Sequence, residues 1–155
     1  MSSQFTERNL VRLIRLVERH TSTRIGKMLE QQGYAPLTAR HLQVFENIDP
    51  IEGSNVVQLA QNATISKQAM SKLVKDAAAE GCVEVMPNSA DSRFIVVKLT
   101  PKGESLRQYV LDNIVVYYEN LVDTGTISQG EVHTLTNTLL KYLKHFQAVN
   151  EKVEA

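Results

Sequence analysis

Apolar residues recur with a helical period along the start of the chain. At 100° per residue, Leu10, Ile14, Val17, Thr21, Ile25 and Met28 fall on one face, and Arg8, Arg12, Arg15 and Arg19 on the opposite one. The stretch from Phe5 to Gln31 lacks proline and carries one glycine, Gly26, before Gly33 and Pro36 stop it. A second long helix is predicted from Thr100-Pro101, threonine as N-cap and proline at the first helical position. It runs through Leu106, Val110, Ile114, Tyr117 and Leu121 to the break at Asp123-Thr124-Gly125. A third opens at Ser128-Gln129-Gly130-Glu131, where serine and glutamate satisfy each other's orphan backbone donors. It carries Val132, Leu135, Leu139, Tyr142, Leu143 and Phe146.

At 1.5 Å per residue each terminal helix would be about 30–40 Å long. A compact globule of this chain length has a radius of gyration of only about 15 Å. The apolar stripes are therefore expected to need a second subunit, giving a homodimer built from the two chain ends; an intrachain bundle is the alternative.

The middle, about Leu37 to Thr100, reads as short pieces. Thr38 caps a helix through Phe45 and Ile48, ended by Asp49-Pro50. Asn55-Val56-Val57-Gln58 is an Asn/Gln variant of the capping box, opening a short helix over Val57, Leu59 and Ala60. Asn62 to Ile65 form a turn, and Ser66 caps a helix reaching Gly81. Two β-branched runs, Cys82 to Met86 and Arg93 to Leu99, flank the turn-rich Pro87-Asn88-Ser89-Ala90-Asp91 and predict a hairpin.

Two short helices joined by a tight turn and followed by a hairpin make a winged helix-turn-helix. In the second of these helices Met70, Leu73, Val74 and Ala77 would pack inward, leaving Gln68, Ser71, Lys72 and Lys75 on the other face and Ser66 and Lys67 at its start. One α-helix fits a DNA major groove. Gln68 has the donor–acceptor pair that adenine requires, Lys67, Lys72 and Lys75 can neutralise phosphates or reach guanine, and Ser66 and Ser71 can bond to either. A merely solvated helix face is the plain alternative. At the hairpin tip, Arg93 could enter the minor groove with Asp91 holding its guanidinium; the alternative is an exposed ion pair stabilising a turn.

Composition narrows the field. The 155 residues are 43% hydrophobic with 17 Lys+Arg against 17 Asp+Glu, which excludes a disordered tail. The lone Cys82 excludes an intrachain disulfide framework, no apolar run suits a bilayer, and Met1-Ser2-Ser3-Gln4 lacks an export pattern. The expectation is a soluble, cytoplasmic protein without a membrane partner. His20, His41, His133 and His145 are scattered, and neither a metal-spaced pair, a phosphate loop nor a nucleophile motif stands out, so no enzyme activity, metal or cofactor is expected.

In its central zone the sequence resembles the MarR family of bacterial transcriptional regulators. The matching elements are Leu37-Thr38, Leu59-Ala60, Ile65 to Val74 (ISKQAMSKLV), Glu80-Gly81-Cys82-Val83-Glu84, Asp91-Ser92-Arg93 and Val97 to Gly103 (VKLTPKG). The resemblance implies a mainly α fold with a small β-hairpin wing, in which residues 35–100 form the DNA-binding winged helix-turn-helix. Residues 1–34 and 101–155 would supply interlocking dimerisation helices. It further implies a regulator, commonly a repressor, on a pseudo-palindromic operator, released by a small phenolic or anionic effector. Ser66 to Lys75 would be the recognition helix, Arg93 the minor-groove arginine and Asp91 its support.

The sequence also departs from that pattern. Asp76 stands where the family often has a basic residue, Ala77 where it usually has leucine, Val85 where arginine often follows the first strand, and Ser92 in place of one of two wing-tip arginines. Thr38 to Gly103 hold seven basic and seven acidic residues. Few phosphate contacts imply modest affinity at physiological salt. The competing reading is a winged-helix dimer that has lost DNA binding and serves protein partners. Cys82 is read as a small buried hydrophobe, with a redox switch as the alternative. His20, Tyr34, Phe45 and Tyr109 lie on elements near the expected junction of dimer helices and wing, but each is more often a core residue. The first helix's arginine stripe is a solvated face, or pairs with a partner subunit at Asp112 or Glu119, or touches DNA.

Overall fold

The computed structural model describes residues 7–87 and 95–153, with side chains for 9–87 and 95–148. The elements run α1 (Glu7–Gln31), a 3₁₀ turn (Ala39–His41), α2 (Leu42–Asn47), α3 (Val56–Asn62) and α4 (Lys67–Ala79). They continue with β1 (Val83–Pro87), β2 (Ile95–Leu99), α5 (Pro101–Asp123) and α6 (Gln129–Val153). Residues 1–111 and 112–155 form two compact units. By this division α1 and the first half of α5 fall in the same unit as the winged domain.

Local chemistry accounts for the helix boundaries. Asn55 Oδ1 accepts the Gln58 N–H at 2.9 Å and Gln58 Oε1 accepts the Asn55 N–H at 3.1 Å, the reciprocal cap predicted for α3. Ser66 Oγ accepts the Ala69 N–H at the start of α4, and Thr100 Oγ1 accepts the Gly103 N–H at the start of α5. Before α6, Ser128 Oγ accepts the Glu131 N–H at 3.2 Å while Glu131 Oε2 accepts the Ser128 N–H at 2.8 Å. The Ser128 N–H and, at 2.8 Å, the Ser128 hydroxyl both donate to Glu131 Oε2 and hold that carboxyl below the usual carboxylate range.

Three boundaries differ from the sequence expectation. The helix expected after Thr38 opens as a 3₁₀ turn, and its box partner is a histidine: the Thr38 N–H donates to His41 Nδ1 at 2.9 Å. The α4 helix stops at Ala79 because Gly81 turns left-handed (φ +69°), letting the Gly81 and Cys82 N–H groups reach back to the Ala78 and Ala77 carbonyls. The β1 strand begins at Val83 and extends through Pro87. Val57 lies on α3 but is 44% exposed, so Leu59 and Ala60 alone carry that helix's burial.

The core of the first unit gathers Leu29, Leu37, Val44, Phe45, Leu59, Met70, Val74, Ala77, Val97, Leu106 and Val110, each 4% exposed or less. The wing is antiparallel, pairing Val83 with Leu99 through to Pro87 with Ile95. Ser54 adds a third edge by exchanging both backbone hydrogen bonds with Val97. Its neighbour Gly53 (φ +75°) lies so close to β2 that a Cβ there would sit 2.5 Å from Val96 Cγ1.

In the second unit the predicted stripe is present but uncovered. Leu135, Leu139, Tyr142, Leu143 and Phe146 of α6 are 38–58% exposed. Among the described side chains of residues 112–148, none is buried.

Candidate nucleic-acid interface

The connection between α3 and α4 is a tight turn closed by the Ala63, Thr64 and Ile65 N–H groups, which donate to the Leu59, Gln61 and Ala60 carbonyls. Thr64 adopts φ +55°, a left-handed conformation that a β-branched residue rarely takes. The turn sets the angle at which α4 leaves α3.

On α4 the two faces separate as the spacing requires. Met70, Val74 and Ala77 are buried, and Leu73 is half-buried at the edge. Ser66, Lys67, Gln68, Ser71, Lys72 and Lys75 are all exposed. Six of the residues singled out for DNA contact thus share one solvent-facing surface. Asp91 and Arg93, the expected wing-tip pair, lie outside the described residues.

An ion pair crosses this surface. Lys72 Nζ lies 3.1 Å from Asp76 Oδ2, one helical turn on. The same oxygen lies 3.6 Å from Nε2 of His41, a buried residue of the 3₁₀ turn. Because His41 Nδ1 accepts the Thr38 N–H, the ring's hydrogen belongs on Nε2, facing the carboxylate. The bond from Lys72 and, secondarily, the contact with His41 hold the Asp76 carboxyl below its ordinary range. The spacing of Lys72 and Asp76 was readable in the sequence; the approach of a side chain 35 positions away was not.

Two further lysines of this unit are engaged in the scaffold. Lys98 Nζ donates to the Ile51 carbonyl at 3.1 Å. Lys102 Nζ donates to the Glu80 carbonyl at 2.6 Å and sits 5.2 Å from the centre of the Tyr34 ring. Thr100 Oγ1 donates to the Gly81 carbonyl at 2.7 Å. At Gly103 an added Cβ would fall 1.9 Å from the Cys82 carbonyl oxygen, so only glycine permits this approach. The start of α5 is thereby pinned to the turn that ends α4.

Cys82 is fully buried, and burial pushes its thiol up, away from the reactive thiolate. Of the aromatic and histidine candidates for an effector pocket, Phe45 is fully buried in the core and His20 is exposed on α1. Tyr34 meets Lys102, and the Tyr109 hydroxyl accepts from Gln32 at 3.3 Å. A groove lined by Glu46, Asp49, Glu52, Ser54 and Gln58 is acidic, the wrong sign for an anionic effector. Among the described residues no helix is long and apolar enough to cross a membrane.

No protein-family model matches the chain, and no curated protein sequence matches it. Solved structures do match. A mutant MarR from E. coli complexed with operator DNA is 26% identical with a TM-score of 0.71, over 92% of this chain and 99% of that one. The MarR protein from Peptoclostridium difficile is 18% identical with a TM-score of 0.80, over 99% and 97%. CouR from Rhodococcus jostii RHA1, bound to p-coumaroyl-CoA, is 20% identical with a TM-score of 0.70, over 88% and 93%. The order of helices, the hairpin after α4 and these likenesses agree: the chain has the winged-helix fold of the MarR-family transcription regulators.

Proposed function

We propose that this chain is a sequence-specific DNA-binding regulator that works as a homodimer on a pseudo-palindromic operator, as a repressor released by a small phenolic or anionic effector. The observation that carries the reading is the two-faced α4, apolar side buried and six polar or basic side chains exposed. Gln68 would read a base edge, while Lys67, Lys72 and Lys75, with Ser66 and Ser71, meet phosphates or bases. Arg93 would enter the minor groove with Asp91 as its support. The exposed part of the α1 stripe and the stripe of α6 suit a second copy, which would set two recognition helices about 34 Å apart. The operator complex of the E. coli neighbour supports the DNA assignment, and the p-coumaroyl-CoA complex of CouR supports a small effector.

Selection from random duplex DNA at low salt tests this: an enriched inverted repeat is the expected result. Arg93→Ala should then weaken operator binding by about 1–3 kcal/mol without changing the oligomer, and Gln68→Ala should relax preference at one base pair. The Lys72–Asp76 pair and the balanced charge of residues 38–103 favour a second reading, a winged-helix dimer serving protein partners. Absence of any enriched repeat from an intact dimer would select it.

A further inference from the structure

On a helix whose other face is buried, a basic residue counts toward DNA affinity only if its charge is available to a phosphate. Lys72 is 79% exposed, yet its ammonium lies 3.1 Å from Asp76 Oδ2. An isolated surface pair at this spacing is weak, because both side chains must be ordered to make it. This one differs in that the acid is only 33% exposed and faces a buried imidazole N–H from another element. The His41 ring is itself fixed, since its Nδ1 accepts the Thr38 N–H and receives a 3.2 Å contact from the Thr38 hydroxyl. Among the described residues His41 Nε2 has no hydrogen-bond partner; it lies 3.6 Å from the carboxylate, a gap a small side-chain movement closes. The chain Thr38, His41, Asp76, Lys72 therefore runs from the 3₁₀ turn to the exposed face of α4.

We propose that Asp76 is a positioning residue that competes with DNA phosphate for Lys72, anchored by His41, and so sets the affinity of the recognition helix. The proposal rests on α4 being the DNA-reading helix. When DNA approaches, Lys72 must leave Asp76 or share itself between carboxylate and phosphate, and the carboxylate that remains repels the backbone. The exposed face of α4 thus presents one net positive charge fewer than its lysines alone would give. Weak non-specific binding favours discrimination, because the specific contacts then make up a larger share of the total.

The test is the salt dependence of binding to a short random-sequence duplex by wild type, Asp76→Asn, Lys72→Gln and the double variant. Asp76→Asn should tighten binding about three- to tenfold at low salt and steepen the log–log salt slope by about 0.9, the increment for one more phosphate contact. Lys72→Gln alone should weaken binding, and in that background Asp76→Asn should gain clearly less than it gains in wild type. His41→Leu, which fills the space but lacks the N–H, should move the slope part of the way toward that of Asp76→Asn. Independently of DNA, Lys72→Gln should raise the Asp76 carboxyl titration toward the ordinary range, read by carboxyl-carbon NMR. A gain from Asp76→Asn equally large in the Lys72→Gln background would mean simple charge removal and would overturn the proposal. So would wild-type binding with no gain from Asp76→Asn, which leaves the DNA-binding reading intact. If neither wild type nor any variant binds duplex at low salt, both readings fall. A His41→Leu slope equal to wild type removes the anchor.

Discussion

The two compact units of this chain treat their apolar residues in opposite ways. In residues 1–111, side chains from α1 to the first half of α5 close around Phe45, Leu59 and Met70, all fully buried. In residues 112–148 large apolar side chains such as Val116, Leu135 and Phe146 remain more than half exposed, and none of the described ones is buried. The first unit can be stabilised by its own core. The second cannot, because an apolar stripe left in water contributes nothing to folding until something covers it. Substitutions should accordingly act through the fold in one unit and through assembly in the other.

The largest expected effect is on assembly. Leu139→Asp combined with Leu143→Asp should convert the proposed dimer to monomer at micromolar concentration in sedimentation equilibrium, and an unchanged mass would show that this stripe is not the one covered. In the first unit, Phe45→Ala should cost about 3–5 kcal/mol of stability in urea unfolding while leaving the native mass unchanged. Gly103→Ala should cost about 2–4 kcal/mol, since its methyl meets the Cys82 carbonyl at 1.9 Å and one segment must move. Ser128→Ala should cost about 1 kcal/mol through the lost cap of α6. It should also change the acid limb of stability. The folded Glu131 carboxyl titrates below its unfolded value, so its contribution is present above the ordinary carboxylate range and fades as pH falls through the folded value; the variant should lose part of that fade, because the backbone N–H of residue 128 still donates to the carboxylate. The smallest effect goes the other way: Thr64→Gly should stabilise by up to about 1 kcal/mol, by relieving the left-handed turn.

The same contrast governs what the sequence disclosed. Caps are local, so the pairs Asn55/Gln58 and Ser128/Glu131 and the Ser66 and Thr100 caps could be read from residues three apart. The amphipathic faces of α1, α4 and α6 followed from periodicity, which registers that a face is apolar but not what covers it. Ile25 and Met28 are buried at one end of the α1 stripe, whereas Ile14 and Val17 on the same stripe are 41% and 60% exposed. Long-range meetings left no trace in any window: Ser54 on Val97, His41 beside Asp76, and the Gly103 backbone against Cys82. The left-handed Thr64 was hidden for the opposite reason, since threonine is among the residues least suited to that conformation.

The seam between α4 and α5 has a mechanical consequence. Thr100 bonds to the Cys82 and Gly81 segment through both its N–H and its hydroxyl, Lys102 reaches the Glu80 carbonyl, and Gly103 leaves no room for even a methyl group. Such a joint has no slack in which a small rotation could dissipate. Tilting the first turns of α5 therefore swings the end of α4 with it, and a few degrees at the shaft become a displaced row of lysines at its tip.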